Sequence, residues 1–285
     1  MKSNPPDPGR PDGLRDLPPQ ELAAALEGAR PRLGRLASTL VFFETIGSTN
    51  DEAARQSSAV SPQSSVGLVV VADEQTAGRG RRGHTWFSPP GSGLYVSVVL
   101  APATATIDPP RAVTLLTLAA GVALAEGIEQ ATGLRVDLKW PNDLQVSRRK
   151  IGGILAQSSG TMGRMDDIIV GYGINVRSTS FPPELRDRAT ALESELGRAV
   201  DRHHLLAETL AALARRYEDL LAGRFDAILD AWRGLAPGAS GARVAWTTNA
   251  GTVSGETAGV DADGALLVRM DGRVERIVSG EVVWM

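Results

Sequence analysis

The sequence predicts an α/β (α+β) protein: a mixed β-sheet with packed helices, followed by a small C-terminal β-barrel of the SH3-like sort. Strand-like apolar runs recur between Thr39 and Asn175, and two long helical periodicities interrupt and follow them. After Pro237-Gly238 only short β segments remain, separated by glycine-bearing turns.

Residues 1–37 hold seven of the 17 prolines and read as a tail, with one short helix expected where Pro18 and Pro19 precede Gln20 to Glu27. TLVFFET from Thr39 is the first strand, and Ser48-Thr49-Asn50 can cap a helix running through Asp51 to Ser57. GLVVVADE (67–74) and GLYVSVVL (93–100) follow as strands, the second placing Leu94, Val96, Val98 and Leu100 on one face. Residues 110–131 read as a long apolar helix, and further strands are expected near 134–139, 150–157 and 167–175. From Asp201 to Leu221, the apolar residues Leu206, Leu210, Leu213, Tyr217 and Leu220 mark one face of an amphipathic helix expected to pack on the sheet. ARVAW, TVSGETAGV, ALLVRM, RVERIV and EVVWM, with turns at Asp263-Gly264 and Asp271-Gly272, supply the barrel. The expected division is a proline-rich tail (1–37), the main α/β domain (38–235) and the C-terminal domain (236–285).

The chain has 285 residues, 42% of them hydrophobic, a formal net charge of −3 and a pI near 5.7. Such a balance gives no global attraction for nucleic acid or an anionic membrane, so an anion site must be local. Without cysteine there is no disulfide framework, Cys-ligated zinc or thiol nucleophile. The N-terminus MKSNPPDPGRPDG lacks an apolar leader and no stretch approaches the 18 or so apolar residues of a span, which sets the expectation of a cytoplasmic, non-membrane protein. Of the 30 basic residues only Lys2, Lys139 and Lys150 are lysine, leaving 27 arginines. Two internal lysines eleven residues apart are then either ordinary surface lysines, the simpler reading, or places that need a compact charge.

Four segments carry candidate chemistry. AGRGRRGHTWFSPPGSG (77–93) contains G-x-G-x-x-G at Gly78, Gly80 and Gly83, but Pro89, Pro90, Gly91 and Gly93 forbid the helix that a dinucleotide loop must open. Arg79, Arg81 and Arg82 among glycines suit close contact with carboxylate or phosphate; taken alone, the segment reads more simply as a solvated flexible loop. KWPNDL (139–144) gathers a lysine, an indole, an amide and a carboxylate at a strand end, and is as readily a turn as a site. KIGGIL (150–155) places Lys150 before two glycines that permit close approach. GYGINV (171–176) ends a strand with Asn175, for which a structural role is the usual answer.

In this order, STN, QTAGRGRRG with a following Trp, KWPND, KIGGIL and GYGIN resemble the bacterial biotin protein ligases over roughly residues 40 to 285. The resemblance implies a biotin/lipoate ligase-like catalytic domain and an SH3-like C-terminal domain. It also implies an enzyme that activates biotin with ATP and Mg²⁺ to biotinyl-5′-AMP, then transfers biotin to a lysine of a biotin carboxyl carrier protein. Carried over residue by residue, it places Ser48, Thr49, Asn50, Gln75, Arg79, Gly80, Arg81 and Lys150 around biotin and the reactive linkage. Trp86, Asn142, Asp143 and Asn175 fall on the nucleotide side, and metal ligands are left open. Arg79, Arg81 and Lys150 would screen the repulsion of two anions, and the 77–93 loop would fold over the anhydride. Asp143 is a candidate orienter or base for the carrier lysine, or equally an ordinary salt-bridging turn residue.

Three departures stand out. A proline-rich segment occupies the place of the long form's DNA-binding domain, so the short form without repressor function or specific DNA binding is expected. Gln157 stands where a glutamate commonly follows GGIL, and RSTSFPPELRD after GYGINV offers no assignable residues. The rivals are a lipoate or octanoate ligase of the same fold, a biotin-sensing regulator, and a nicotinamide-dependent dehydrogenase.

Overall fold

The fold is that of a computed structural model that describes residues 16–59, 65–159, 167–177, 181–248, 251–280 and 282–285. The main sheet contains β1 (Thr39–Ile46), β2 (Leu68–Gln75), β3 (Gly93–Leu100), β4 (Asp137–Lys139), β5 (Asp143–Val146), β6 (Arg149–Ser158) and β7 (Ile168–Asn175). Their order is β1-β2-β3-β7-β6-β5-β4. β1 and β2 are parallel, with the helix α2 (Thr49–Ala59) between them in the chain, and the other neighbours are antiparallel.

Both faces of the central strands are covered. Leu94, Val96, Val98 and Leu100 share one face of β3 as expected and join the large core, but all eight β3 residues are buried. The reason is α2, which caps a second, smaller core of Val41, Phe43, Ala53, Leu68, Val70, Ala72, Val99 and Ile169.

The opposite face carries α1 (Gln20–Ala29), α3 (Pro109–Thr132), α5 (Arg202–Leu221) and α6 (Phe225–Leu235); a short α4 (Leu192–Leu196) precedes α5. α3 starts where Pro109 and Pro110 fill the first turn and Asp108 accepts a hydrogen bond from Arg111 N at 3.2 Å. It stops at Gly133, in the left-handed region at φ 77°. Contrary to the sequence expectation, α3 is long and apolar enough to cross a membrane, because its many Ala and Leu residues raise hydropathy while Thr and Gly interrupt any run. It is instead mostly buried, wedged between the sheet and α5.

α5 was expected on the sheet. Its main partner is α3, since Gly127 lets the two helices approach until a methyl there would lie 2.6 Å from the Thr209 Cα. It reaches the sheet at Thr209, whose hydroxyl lies 3.3 Å from that of Tyr172. The proline-rich tail also ends earlier than its sequence suggested. Leu22, Leu26, Ala29, Leu33 and Leu36 lie in the core, and Arg32 pairs with Glu208 of α5 at 2.7 Å. Their helical spacing was hidden among the prolines. α6, with Phe225, Ile228, Leu229 and Trp232 buried, and β5 were not anticipated.

The C-terminal domain is an SH3-like antiparallel sheet of β8 (Ser240–Thr248), β9 (Gly251–Val260), β10 (Leu266–Met270), β11 (Arg273–Ile277) and β12 (Val282–Trp284), ordered β11-β10-β9-β8-β12. Val244, Val260, Leu266, Val268, Ile277 and Val282 belong to the same apolar cluster as the helices of the main domain. Trp140 Nε1 donates to Gly264 O at 3.0 Å, and Arg111 Nε to Ala262 O at 2.9 Å, tying the two domains together.

Candidate active site

The site is built on the α2 face of the sheet, where two adjacent strands, β6 and β7, present glycine. Gly171 of β7 sits between Ser97 of β3 and Leu155 of β6, and Gly173 sits between Tyr95 and Gly153. Residues two apart share a face, so Gly171 and Gly173 form a flat floor, extended by Gly153. A methyl at Gly171 would overlap the Asn50 amide, and one at Gly173 the Trp86 indole. This close approach accounts for the glycines of KIGGIL and GYGIN.

Above the floor runs a chain of neutral hydrogen bonds. Thr49 N donates to Gln75 Oε1 at 2.9 Å, and Gln75 Nε2 to Ser88 Oγ at 3.0 Å. The Ser97 hydroxyl lies 2.6 Å from Asn50 Oδ1 and 2.8 Å from Thr49 Oγ1, while Asn50 Nδ2 donates to Gln157 Oε1 at 2.7 Å. Ser48, Thr49, Asn50 and Ser97 are all buried.

The 77–93 segment is ordered rather than a solvated flexible loop. Gly80 N donates to His84 O at 2.7 Å and Trp86 N to Gly78 O at 2.9 Å, folding it into a hairpin with Arg82 at φ 56° near the tip. Its far end is pinned by Gly91 N to Asp73 Oδ2 at 3.0 Å, and Asp73 pairs with Arg202 at 2.8 Å. Burial pushes the Tyr95 phenol well above its ordinary range, so it serves as a neutral donor to Pro89 O at 3.0 Å.

Cations fill the outer part. Arg79 pairs with Asp51. Arg81 Nη1 donates to Asn142 Oδ1 at 3.0 Å, and Asn142 is itself locked to β6 through Nδ2 to Ile154 O at 2.8 Å. Lys150 Nζ lies 2.6 Å from Asp143 Oδ1 and 5.4 Å from the centroid of the Trp86 ring. Trp86 Nε1 is buried and, among the described residues, has no hydrogen-bond partner.

These groups surround an open cavity, and Ser48, Thr49, Asn50, Gln75, Arg79, Gly80, Arg81 and Lys150 all line it, together with Trp86 and Asn142. Through Gly80, Arg81, Trp86, Asn142 and Lys150 it shares a wall with a second chamber. That chamber also holds Asp143 and Asn175, whose Nδ2 donates to Thr190 O at 3.0 Å. Every residue that the resemblance places on the biotin or nucleotide side therefore lies on one of the two, and Gly80, Arg81, Trp86, Asn142 and Lys150 lie on both.

Sequence reasoning missed Ser97 and the floor glycine Gly171, which only the strand register brings together. It also missed Leu185, Asp187 and Arg188, which line the second chamber where Lys150 N donates to Arg188 O at 2.8 Å. The prolines at 182 and 183, which start a single 3₁₀ turn, were the available signal for an ordered segment. Among the described residues no three His, Cys, Asp or Glu side chains converge as metal ligands.

A mixed sheet with a glycine floor, a neutral buried wall, a cationic mouth and a small β domain defines the ligase class covered by the biotin/lipoate A/B protein ligase family, whose model matches residues 42–175. The biotin protein ligase C terminal domain matches residues 239–285. The bifunctional ligase/repressor BirA of Bacillus subtilis is 35% identical over 245 residues, 85% of this chain and 73% of that protein. The biotin–[acetyl-CoA-carboxylase] ligase of Paracoccus denitrificans is 32% identical over 240 residues, 82% of this chain and 96% of that protein. Among solved structures, the biotin protein ligase from Aquifex aeolicus in complex with biotin and ATP matches with a TM-score of 0.74 and 29% identity, covering 87% of this chain and 99% of that one. The chain belongs to the biotin protein ligase family.

Proposed function

We propose that this protein activates biotin with ATP and joins it to a lysine of a biotin carboxyl carrier protein. The observation that carries the reading is the polarity of the cavity: neutral groups at its inner wall, the buried Ser48, Thr49 and Asn50 and the half-buried Gln75, and half-exposed cations at Arg81 and Lys150 on the wall shared with the second chamber. Biotin has matching ends, a neutral ureido ring and an anionic carboxylate. The related Aquifex protein was solved with biotin and ATP.

In the first step a carboxylate oxygen of biotin attacks the α-phosphorus of ATP. The new O–P bond displaces pyrophosphate and leaves biotinyl-5′-AMP, a mixed anhydride. Two anions must meet, so Arg81, fixed by Asn142, and Lys150, fixed by Asp143, supply the positive field without having to reorganise. Asp143 is then an orienter of Lys150, and the hairpin over the cavity shields the anhydride from water. In the second step the carrier lysine, as free amine, attacks the anhydride carbonyl; the amide C–N bond forms and AMP leaves.

Mg²⁺ commonly keeps several waters and binds through one or two carboxylates plus substrate phosphates. Asp187, a carboxylate on the second chamber, would fit that role. We assign activation to residues 38–235, with 236–285 completing the second chamber through Gly280 and Val282. We place the reaction in the cytoplasm with the ATP it consumes, and we assign ligation alone, without DNA binding, to this chain of net charge −3.

The test is mass spectrometry of the purified protein incubated with ATP and Mg²⁺ plus biotin, lipoate or octanoate in parallel. Biotinyl-AMP alone is expected; lipoyl-AMP or octanoyl-AMP in its place would overturn the reading. Lys150→Ala is expected to lower adenylate formation at least 100-fold, consistent with losing about 3 kcal/mol of electrostatic stabilisation. An unchanged rate would remove Lys150 from the proposed role.

A further inference from the structure

Gln157 lies outside both chambers, yet it sits at the end of the hydrogen-bond chain that forms the buried cavity wall. Its influence follows from counting protons. Ser97 has one hydroxyl proton and cannot donate to both Asn50 Oδ1 at 2.6 Å and Thr49 Oγ1 at 2.8 Å. Asn50 Oδ1 only accepts, so with Nδ2 turned toward Gln157 the Ser97 proton goes to Asn50. Thr49 must then supply the proton between itself and Ser97. The 3.1 Å approach of Thr49 Oγ1 to Gln75 Oε1 is left without a proton, and Gln75 Oε1 accepts from the Thr49 N–H.

In this arrangement Thr49 and Gln75, both lining the cavity, hold lone pairs with no donor from the chain of hydroxyls. Were the Asn50 amide turned over, Nδ2 would donate to Ser97, Ser97 to Thr49 and Thr49 to Gln75, and the shortage would vanish. In the orientation observed, Gln157 Oε1 accepts from Asn50 Nδ2 at 2.7 Å and so favours the first. The Leu155 carbonyl, 3.5 Å from Asn50 Nδ2, is a second acceptor on the same side.

We propose that Gln157 is a positioning residue which, through Asn50 and Ser97, keeps this wall an array of hydrogen-bond acceptors and so selects a ligand that presents N–H donors. The ureido ring of biotin carries two such groups, and lipoate and octanoate carry none. This inference rests on biotin being the substrate.

Isothermal titration of biotin into the full chain tests it, with Gln157→Leu removing the acceptor and Gln157→Glu keeping it. Gln157→Leu is expected to weaken biotin binding at least tenfold and raise its KM in proportion, with kcat at saturating biotin within twofold and the melting temperature near that of the unaltered protein. Gln157→Glu is expected to bind within threefold of the unaltered protein at pH 7. It is also expected to gain an acid limb, losing biotin affinity as pH falls toward the carboxyl range near about 4.3, where a protonated acid can donate to Asn50. The unaltered protein, with an amide at 157, supplies the baseline set by biotin's own carboxylate and by the Asp143 and Asp51 pairs, and the limb is the loss beyond that baseline. Native affinity in Gln157→Leu, or equal weakening by Leu and Glu, would overturn the assignment. Should Gln157→Leu not fold, the acid limb of Gln157→Glu decides. Absence of biotin binding by the unaltered protein would overturn the functional reading itself.

Discussion

The two cations of the site are held in different ways. Lys150 pairs with the carboxylate of Asp143, and Arg81 donates to the neutral amide of Asn142. Asn142 in turn is fixed at both of its backbone-facing contacts with Ile154, Nδ2 to O at 2.8 Å and O from N at 2.9 Å. Asn142→Ala is expected to leave the strand pairing largely intact but remove one hydrogen bond that positions Arg81, slowing adenylate formation about tenfold, as for one neutral hydrogen bond of about 1.4 kcal/mol. Pyrophosphate release at saturating biotin measures this, and an unchanged rate would show that Arg81 needs no such support. The chemistry-bearing side chains were legible at this scale because arginine, lysine and amide residues clustered in short motifs. Gly171 and Ser97 were not, because their meeting depends on register between two residues 74 positions apart in the chain, of which β3 and β7 give no local sign.

Helix α3 shows how an element can be read correctly and placed incompletely. Its extent followed from the proline start and the apolar run, while its use as a platform for α5 depends on one glycine. Gly127→Val is expected to destabilise the fold by about 1–3 kcal/mol through overpacking against Thr209, seen as a lower urea midpoint. An unchanged midpoint would mean the helices can separate without loss. α1 was half legible: its helix was expected, but its burial was not, since the contact that secures it lies far along the chain on α5. There, hydrogen bonding to Arg32 holds the Glu208 carboxyl below its ordinary range. A carboxyl lowered on folding contributes stability above its unfolded pKa of about 4.3, and that contribution disappears as pH falls through the lower folded value. Melting temperature is expected to fall less steeply below about pH 5 in Arg32→Ala than in the unaltered protein. Parallel curves would exclude the pair as a source of acid sensitivity. α6 and β5 escaped notice because one is short and follows α5 closely and the other is embedded in the polar KWPNDL turn.

Across the whole molecule, the division into two domains was visible in the change from helical to short-strand texture after Pro237, but their fusion was not. Val244, Val260, Leu266 and Val268 share one core with α3, α5 and α6, and Trp140 of the KWPND turn donates to Gly264 across the boundary. A single calorimetric unfolding transition is expected, and two separable transitions would show that the domains are independent. The near absence of lysine has a practical consequence at this scale. Lys139 and Lys150 both line the second chamber, and Lys2 completes the set for the entire chain. Amine-reactive dyes, fixatives and coupling resins, which ordinarily decorate a protein's exterior at random, will here compete with substrate at two of the three lysines, so labelling of Lys139 and Lys150 becomes a gauge of whether the chamber is filled.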